Sequence, residues 1–416
     1  MTFELNGFTV RLDGALIVNE VDLSLSRGEA VLIAGPSGAG KSTLLKSLCG
    51  VIPKVVRGSV SGFVKPSLDF LHRSSIYLHQ EPWFFITTPY VWSEVLSFTD
   101  FKRLSDVQEV LNHFKLSRHL MRSTYTLSAG EVQRLAFIIA THSSKDLILL
   151  DEPTAYLDRP NADNLIKYVK ELKGFGKSFI IVDHDVSVWL DVVDKVYYMV
   201  DGKLVEDEPE YYSKAYEALN DLDPSESRDC LKHFIFEVDE IKFPDAEEPL
   251  LKDFKLEVCS GEVVLIKGYS GVGKTTLLKT LAEKSVKDGR IKSVLIPDNP
   301  LLYFSGSTPA EELNLANPQL SSKFLQDFGL SSKSNIPVVK LSTGERRRLA
   351  LASALARGYE LVFMDEPTIG LDPWNKYLVL KGIKKVAELG TGFVIASHDE
   401  DLLKIANEVI NLEDWR

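Results

Sequence analysis

The stretch AGPSGAGKSTLLKSLCG, Ala34 to Gly50, sets the fold of everything around it. The apolar run AVLIA leads into it, and KSTLLKSLC continues it with a helical pattern. Between them Gly35 to Ser42 fits GxxxxGK[ST]. Glycines in such a turn let backbone N–H groups close around a phosphate, and the helix N-terminus adds partial positive charge. Lys41 is placed to reach β- and γ-phosphates, with Ser42 on Mg²⁺. A single match could be a plain glycine-rich turn. The same strand–turn–helix context returns in KGYSGVGKTTLLKTLAE, Lys267 to Glu283. Gly268, Ser270, Gly271, Gly273, Lys274, Thr275 and Thr276 thus stand where Gly35, Ser37, Gly38, Gly40, Lys41, Ser42 and Thr43 stand in the first copy.

The duplication runs through the chain. LSAGEVQRLA (127–136) returns as LSTGERRRLA (341–350), LILLDEPTAYLD (147–158) as LVFMDEPTIGLD (361–372), and FIIVDHD (179–185) as FVIASHD (393–399). Ser128 and Ser342, Asp151 and Asp365, and His184 and His398 are all separated by one and the same interval, whereas Lys41 and Lys274 lie further apart. The second copy is therefore shorter between its glycine-rich loop and its LSTGE segment. A repeat that spans half the chain is a duplicated domain, not a solenoid. The sequence divides into a first domain over 1–205, an acidic linker over 206–230 with a short helix in EYYSKAYEALN, and a second domain over 231–416. Short, wholly apolar runs alternating with helical patterns predict an α/β fold with parallel sheets.

Composition narrows the class. The 416 residues carry 44% hydrophobic and 26% charged residues, as soluble globular chains do. No run of 18 apolar residues suggests a membrane span, and the N-terminus lacks the order of a signal peptide. A net charge of −11 argues against a basic nucleic-acid-binding surface. Cys49, Cys230 and Cys259 form no CxxC pair, so reduced thiols without a metal are expected.

Asp151 and Asp365 end apolar strand runs, placed for the Mg²⁺ shell. Glu152 and Glu366 follow them, where a carboxylate can orient or deprotonate an attacking water. His184 and His398, which follow their aspartates at equal spacing, can hydrogen-bond a γ-phosphate. One more pair stands out because it differs. IYLHQEPWFF (76–85) is matched by VLIPDNPLLYF (294–304), which puts Asp298 opposite Gln80. Asp298 keeps a hard oxygen for Mg²⁺ but adds charge and cannot donate a hydrogen bond when ionised.

The ordered set resembles the ATP-binding cassette ATPases, two such domains fused, and LSAGE and LSTGE are its most diagnostic part. The resemblance implies two tandem P-loop domains, each a RecA-like parallel-sheet core with an antiparallel β subdomain and a helical subdomain. It implies head-to-tail pairing of the halves within one chain, without need of a homodimer, and two composite ATP sites. One would join Lys41, Asp151, Glu152, Gln80 and His184 to Ser342 and Gly344. The other would join Lys274, Asp365, Glu366, Asp298 and His398 to Ser128 and Gly130. Mg²⁺ would be held by Ser42, Gln80 and Asp151, and by Thr275, Asp298 and Asp365. An aromatic residue before the P-loop strand stacks on adenine in this family. Phe243, upstream of the second P-loop strand, is the candidate for one site; for the other, Arg11 and Phe8 are near the equivalent Val10.

The segment after Gln80, with Pro89, Val91, Glu94 and Val95, is similar to the Q-loop region of energy-coupling-factor importer ATPases, although Phe85 replaces a glutamine of that pattern. This implies a peripheral protein on the cytoplasmic face of the membrane. Separate transmembrane subunits would dock near the two Q-loop segments and select a vitamin or metal ion. The rival is a fused-cassette translation factor on the ribosome. Against it stand AYLD and IGLD in place of NHLD, and a short acidic linker.

Overall fold

The computed structural model describes residues 3–224, 230–241, 249, 251–269 and 271–415. The chain divides into two compact units, Met1–Pro209 and Glu210–Arg416.

In the first unit β1 (Phe3–Leu12), β2 (Ala15–Leu25) and β4 (Ser59–Lys65) form an antiparallel sheet of order β2-β1-β4. β3 (Ala30–Ala34), β5 (Ser75–Leu78), β6 (Leu147–Asp151), β7 (Ser178–Val182), β8 (Lys195–Val200) and β9 (Lys203–Val205) form the second sheet, of order β5-β6-β7-β3-β8-β9. Only β9 runs antiparallel to its neighbour in that sheet. Every residue of β3, β6 and β7 is buried. Side chains alternate between the faces of a strand, so each face builds its own core. Leu32, Ile148, Leu150, Phe179 and Ile181 pack on one side, and Val31, Ile33, Leu147, Leu149 and Ile180 on the other. Two covered faces are why these strands read as continuous apolar runs rather than alternating ones. Helices Val91–Phe98 and Leu104–His113 pack with the start of helix Ala129–His142 as the helical part of the unit.

Among the described residues the second unit repeats the plan with fewer parts. β10 (His233–Ile241) and β11 (Leu251–Cys259) pair antiparallel. β12 (Val263–Lys267), β13 (Ser293–Ile296), β14 (Leu361–Asp365), β15 (Gly392–Ala396) and β16 (Glu408–Asn411) form an all-parallel sheet of order β13-β14-β15-β12-β16. The missing length lies mainly after the P-loop helix. The first unit inserts β4 and helix Leu68–Ser74 there, while the second passes from helix Lys274–Asp288 straight to β13.

Helix Glu210–Asn220 forms inside the acidic 206–230 stretch, as its pattern predicts. It packs on the second unit: Leu219 joins that unit's core, and the Tyr211 hydroxyl donates to Asp372 Oδ1 at 2.5 Å. The cysteines depart from the sequence reading. Cys230 and Cys259 form a disulfide, and only Cys49 is a free thiol. The antiparallel register sets His233 opposite Cys259 and so draws the preceding Cys230 across the hairpin, a proximity that a separation of 29 residues conceals.

Candidate functional site

In each unit the P-loop strand sits inside the parallel sheet, next to the strand that ends in the histidine segment, with the DEP strand beyond it. The carboxyl ends of parallel strands open on one edge, where α/β folds place ligands. In the first unit Gly40, at φ +109°, caps helix Lys41–Leu48 without any side-chain cap. A Cβ there would come within 2.7 Å of the Ile17 carbonyl, so glycine is required on two grounds. The uncapped first turn leaves its N–H groups aimed at the loop. The buried Lys41 ammonium is folded back onto the Gly35 and Pro36 carbonyls at 2.7 and 3.0 Å. Ser42 donates to Asp151 Oδ1 at 3.1 Å, and Tyr77 donates to Asp151 Oδ2 at 2.6 Å. Burial, then the charge of Glu152, pushes the Asp151 carboxyl above the usual carboxylate range. Glu152 receives Gln80 Nε2 at 2.6 Å on one oxygen, and His184 Nε2 lies 2.8 Å from the other.

The second unit places the matching groups in a different network. Lys274 donates to the Gly268 and Tyr269 carbonyls at 2.8 and 3.3 Å, and Thr275 donates to Asp365 Oδ1 at 3.2 Å. Ser397 Oγ donates to Glu366 Oε2 at 2.7 Å, and His398 Nδ1 lies 2.9 Å from Oε1. Burial would raise Glu366, but His398, Lys274 and Ser397 hold it below its usual value, while Glu366 in turn raises His398 against the effect of burial. Asp298 is exposed, and its carboxylate accepts the Asn299 N–H at 2.8 Å. Its charge is still felt: burial, then Glu366 and Asp298, drive Asp365 up to about 7 despite the Thr275 hydrogen bond.

Glu152 and Glu366 share a further trait. Both have left-handed backbones, at φ +49° and +44°. Such a conformation costs a non-glycine residue about 1–3 kcal/mol and recurs where geometry is functionally constrained. Each is fixed by its own N–H, donated at 2.8 Å to the neighbouring strand at Val182 or Ala396.

Ser128 and Ser342 open helices Ala129–His142 and Thr343–Ala356 through reciprocal capping boxes with Glu131 and Glu345. Gly344 sits where a Cβ would strike the Asn375 side chain at 2.7 Å.

The family described as ABC transporter matches residues 18–155 and 251–369, one segment in each unit. The chain belongs to the ABC transporter family. It is an ABC ATPase with two nucleotide-binding domains fused in one chain, and its family binds and hydrolyses ATP. A protein of Treponema denticola, provisionally named an ABC transporter ATP-binding protein, is 26% identical, covering 92% of this chain and 89% of its own. A Bacillus subtilis protein, YkoD, provisionally named an HMP/thiamine import ATP-binding protein, is 25% identical over 100% of this chain and 90% of its own. Among solved structures, RNase-L Inhibitor matches 97% of this chain and 87% of its own at TM-score 0.66 and 20% identity. Archaeal ABCE1 in a ribosome-bound model with Pelota matches 97% and 76% at TM-score 0.70 and 21% identity. At that identity the two structures bear on the ABC fold alone.

Several residues around the ABC sites escape the motifs. Tyr77 has Leu295 as its counterpart, and Asp183, held by Thr154 and Trp189, has Ser397. Arg347 takes the place of Gln133. Gln133 donates to the Pro153 carbonyl, whereas Arg347 donates to the carbonyls of Glu366, Asp298 and Ile369. All three positions differ between the two copies of the sequence, although the contacts they make do not show there. Phe8, a candidate for adenine stacking, is fully buried in the core and cannot serve, while Arg11 remains exposed. Phe243 and Ser270 lie outside the described residues.

Glu94, read as part of the importer-like segment, and Glu312 in the second unit are fully buried. Glu94 accepts the Thr87 and Thr88 N–H groups, and Glu312 those of Ser305 and Gly306 together with Ser353 and Arg357. They hold the ends of the Q-loop segments from inside.

Proposed function

We propose that this chain is the ATPase subunit of a membrane importer, working through two composite sites formed when its halves pair head-to-tail. In each site the P-loop amides and lysine cradle the β- and γ-phosphates, and Ser128–Gly130 or Ser342–Gly344 of the opposite half closes over the γ-phosphate. Glu152 and Glu366 accept a proton from the attacking water as the new bond to the γ-phosphorus forms and the bridge to the β-phosphate breaks. His184 and His398, each on its glutamate, orient that carboxylate and contact the γ-phosphate. Ser42 with Asp151, and Thr275 with Asp365, are paired hard-oxygen donors whose buried carboxylates lack a full countercharge. They fit Mg²⁺, with Gln80 and Asp298 as further ligands. When bound, Mg²⁺ polarises the phosphate oxygens.

The observation that carries the importer reading is the full-length match to the protein named for HMP/thiamine import. The surface after Gln80 supports it. Phe84 is 68% exposed beside Trp83, whose ring meets that of Tyr156, five residues beyond Asp151, edge-on at 5.6 Å. Leu302 is 78% exposed in the corresponding segment of the other unit. Exposed apolar side chains joined to the catalytic edge suit a partner helix. Among the described residues no helix is long and apolar enough to cross a membrane; in this reading the membrane spans come from separate subunits. The reading places the chain at the cytoplasmic face of the membrane.

The test is a tagged chain captured from detergent-solubilised membranes, alongside ribosome cosedimentation. Integral membrane subunits should co-purify, and Phe84→Glu with Leu302→Glu should release them while basal hydrolysis persists. Cosedimentation with ribosomes and no membrane partner would replace the importer by the translation-factor reading.

The two sites are expected to be unequal. Asp298 adds a carboxylate near Asp365, which favours the metal but repels the γ-phosphate. With the first site silenced by Glu152→Gln, Asp298→Gln should raise the Mg²⁺ requirement and speed turnover, each by about five-fold. That corresponds to about 1 kcal/mol, the interaction of unit charges roughly 4 Å apart in water. Steady-state rates over a Mg²⁺ titration check this; unchanged midpoint and rate would mean that position 298 is neutral.

A further inference from the structure

At the mouth of the β10–β11 hairpin, away from the phosphate-binding edge, Cys230, His233 and Cys259 bring their donor atoms within 4.8 Å of one another. His233 and Cys259 are register partners across the two strands, with Nδ1 and Sγ 3.8 Å apart. Glu257 Oε1 lies 2.7 Å from the same Nδ1. Two sulfurs and one imidazole are a borderline-soft donor set, of the kind that takes Zn²⁺ rather than Mg²⁺. The Nδ1–Sγ spacing across the strands suits it. Zinc bonds of about 2.0–2.3 Å at tetrahedral angles place ligand atoms roughly 3.3–3.8 Å apart. The cluster is also within reach: His233 and Glu257 are exposed, with side chains 52% and 61% accessible.

We propose that this cluster is a redox-gated site for a Zn²⁺-class ion, open when the two cysteines are reduced and closed in the disulfide form seen here. On metal binding each thiol gives its proton to solvent and binds as thiolate. His233 binds through a neutral ring nitrogen, and water takes the fourth position. On oxidation the two thiols pass two electrons and two protons to a small-molecule disulfide. That disulfide leaves as two thiols while the Cys230–Cys259 bond forms. The two states exclude each other because both sulfurs are consumed in either one. Cys230 ends the acidic stretch after helix Glu210–Asn220, so either state ties the end of that stretch to β11 of the second unit.

The test uses the full chain without nucleotide, carrying Cys49→Ala so that the third thiol is silent. Co²⁺ is the optical probe, followed by Zn²⁺ displacement. The reduced protein is expected to bind one Co²⁺ with a thiolate-to-cobalt charge-transfer band that Zn²⁺ abolishes. His233→Ala, at an exposed position, should weaken binding by at least about 100-fold, the upper end of what even outer-shell changes cost. Cys259→Ser should remove the band. Treatment with oxidised glutathione should remove two titratable thiols and the band together, and dithiothreitol should restore both. Absence of a charge-transfer band in the reduced protein would overturn the proposal. So would a band of equal affinity in His233→Ala, or two thiols still titratable after oxidised glutathione.

Discussion

A chain carrying both Glu152→Gln and Glu366→Gln is expected to bind ATP as tightly as the unaltered protein while its turnover falls by roughly 10²–10⁴-fold, the span of general-base catalysis. Both glutamates follow a buried aspartate at the end of a parallel strand and are held with left-handed backbones. Each has a histidine within 2.9 Å. Glutamine keeps the shape and can still take a hydrogen bond, but it cannot accept the water's proton. The single variants should be informative through their inequality. Glu152 is shared between Gln80 and His184, and Glu366 between Ser397 and His398. Phosphate release from the three variants, measured with equilibrium binding of a fluorescent ATP analogue, checks this. Retained turnover in the double variant would remove the glutamates from the base role.

Glu312→Ala is expected to cost the second unit about 3 kcal/mol, the effect of removing one partner from a buried, hydrogen-bonded ion pair. The fully buried carboxylate gathers the Ser305 and Gly306 amides, the Ser353 hydroxyl and the Arg357 guanidinium. Urea unfolding followed at the second unit's transition should show a lowered midpoint with little change in slope. The pH dependence has a definite sign. Burial would raise Glu312, but its hydrogen-bond donors hold it below the ordinary 4.5. Its stabilisation is therefore complete above that value and lost as pH falls through the depressed folded value. The gap between the unaltered chain and Glu312→Gln should shrink on acidification. A gap that is constant with pH would assign the loss to packing alone.

The parts of the site legible in sequence are those built from contiguous residues. The glycine-rich loops, the DEP and LSxGE segments and the histidine ends of strands each carry their local structure with them, so repetition alone locates them. What sequence concealed depends on which strands become neighbours. Tyr77 reaches Asp151 because β5 pairs with β6 in register, and Ser397 reaches Glu366 because β15 lies beside β14. Arg347 bridges three carbonyls from one helix, a geometry that no spacing reveals. Glu94 was visible as an acidic residue of the importer-like segment, but neither its burial nor that of Glu312 was. A carboxylate that collects backbone N–H groups looks the same in sequence as one facing solvent. The cysteines show a similar limit, since hairpin register rather than spacing brings Cys230 to Cys259.

The central claim is that the two halves of one chain close on ATP to complete each other's sites. Small-angle scattering of the Glu152→Gln, Glu366→Gln chain, with and without saturating Mg²⁺-ATP, tests it most directly. A smaller radius of gyration with ATP, abolished by Ser128→Arg together with Ser342→Arg, is the predicted result. Identical scattering curves with and without ATP, in a chain shown to have ATP bound, would contradict it.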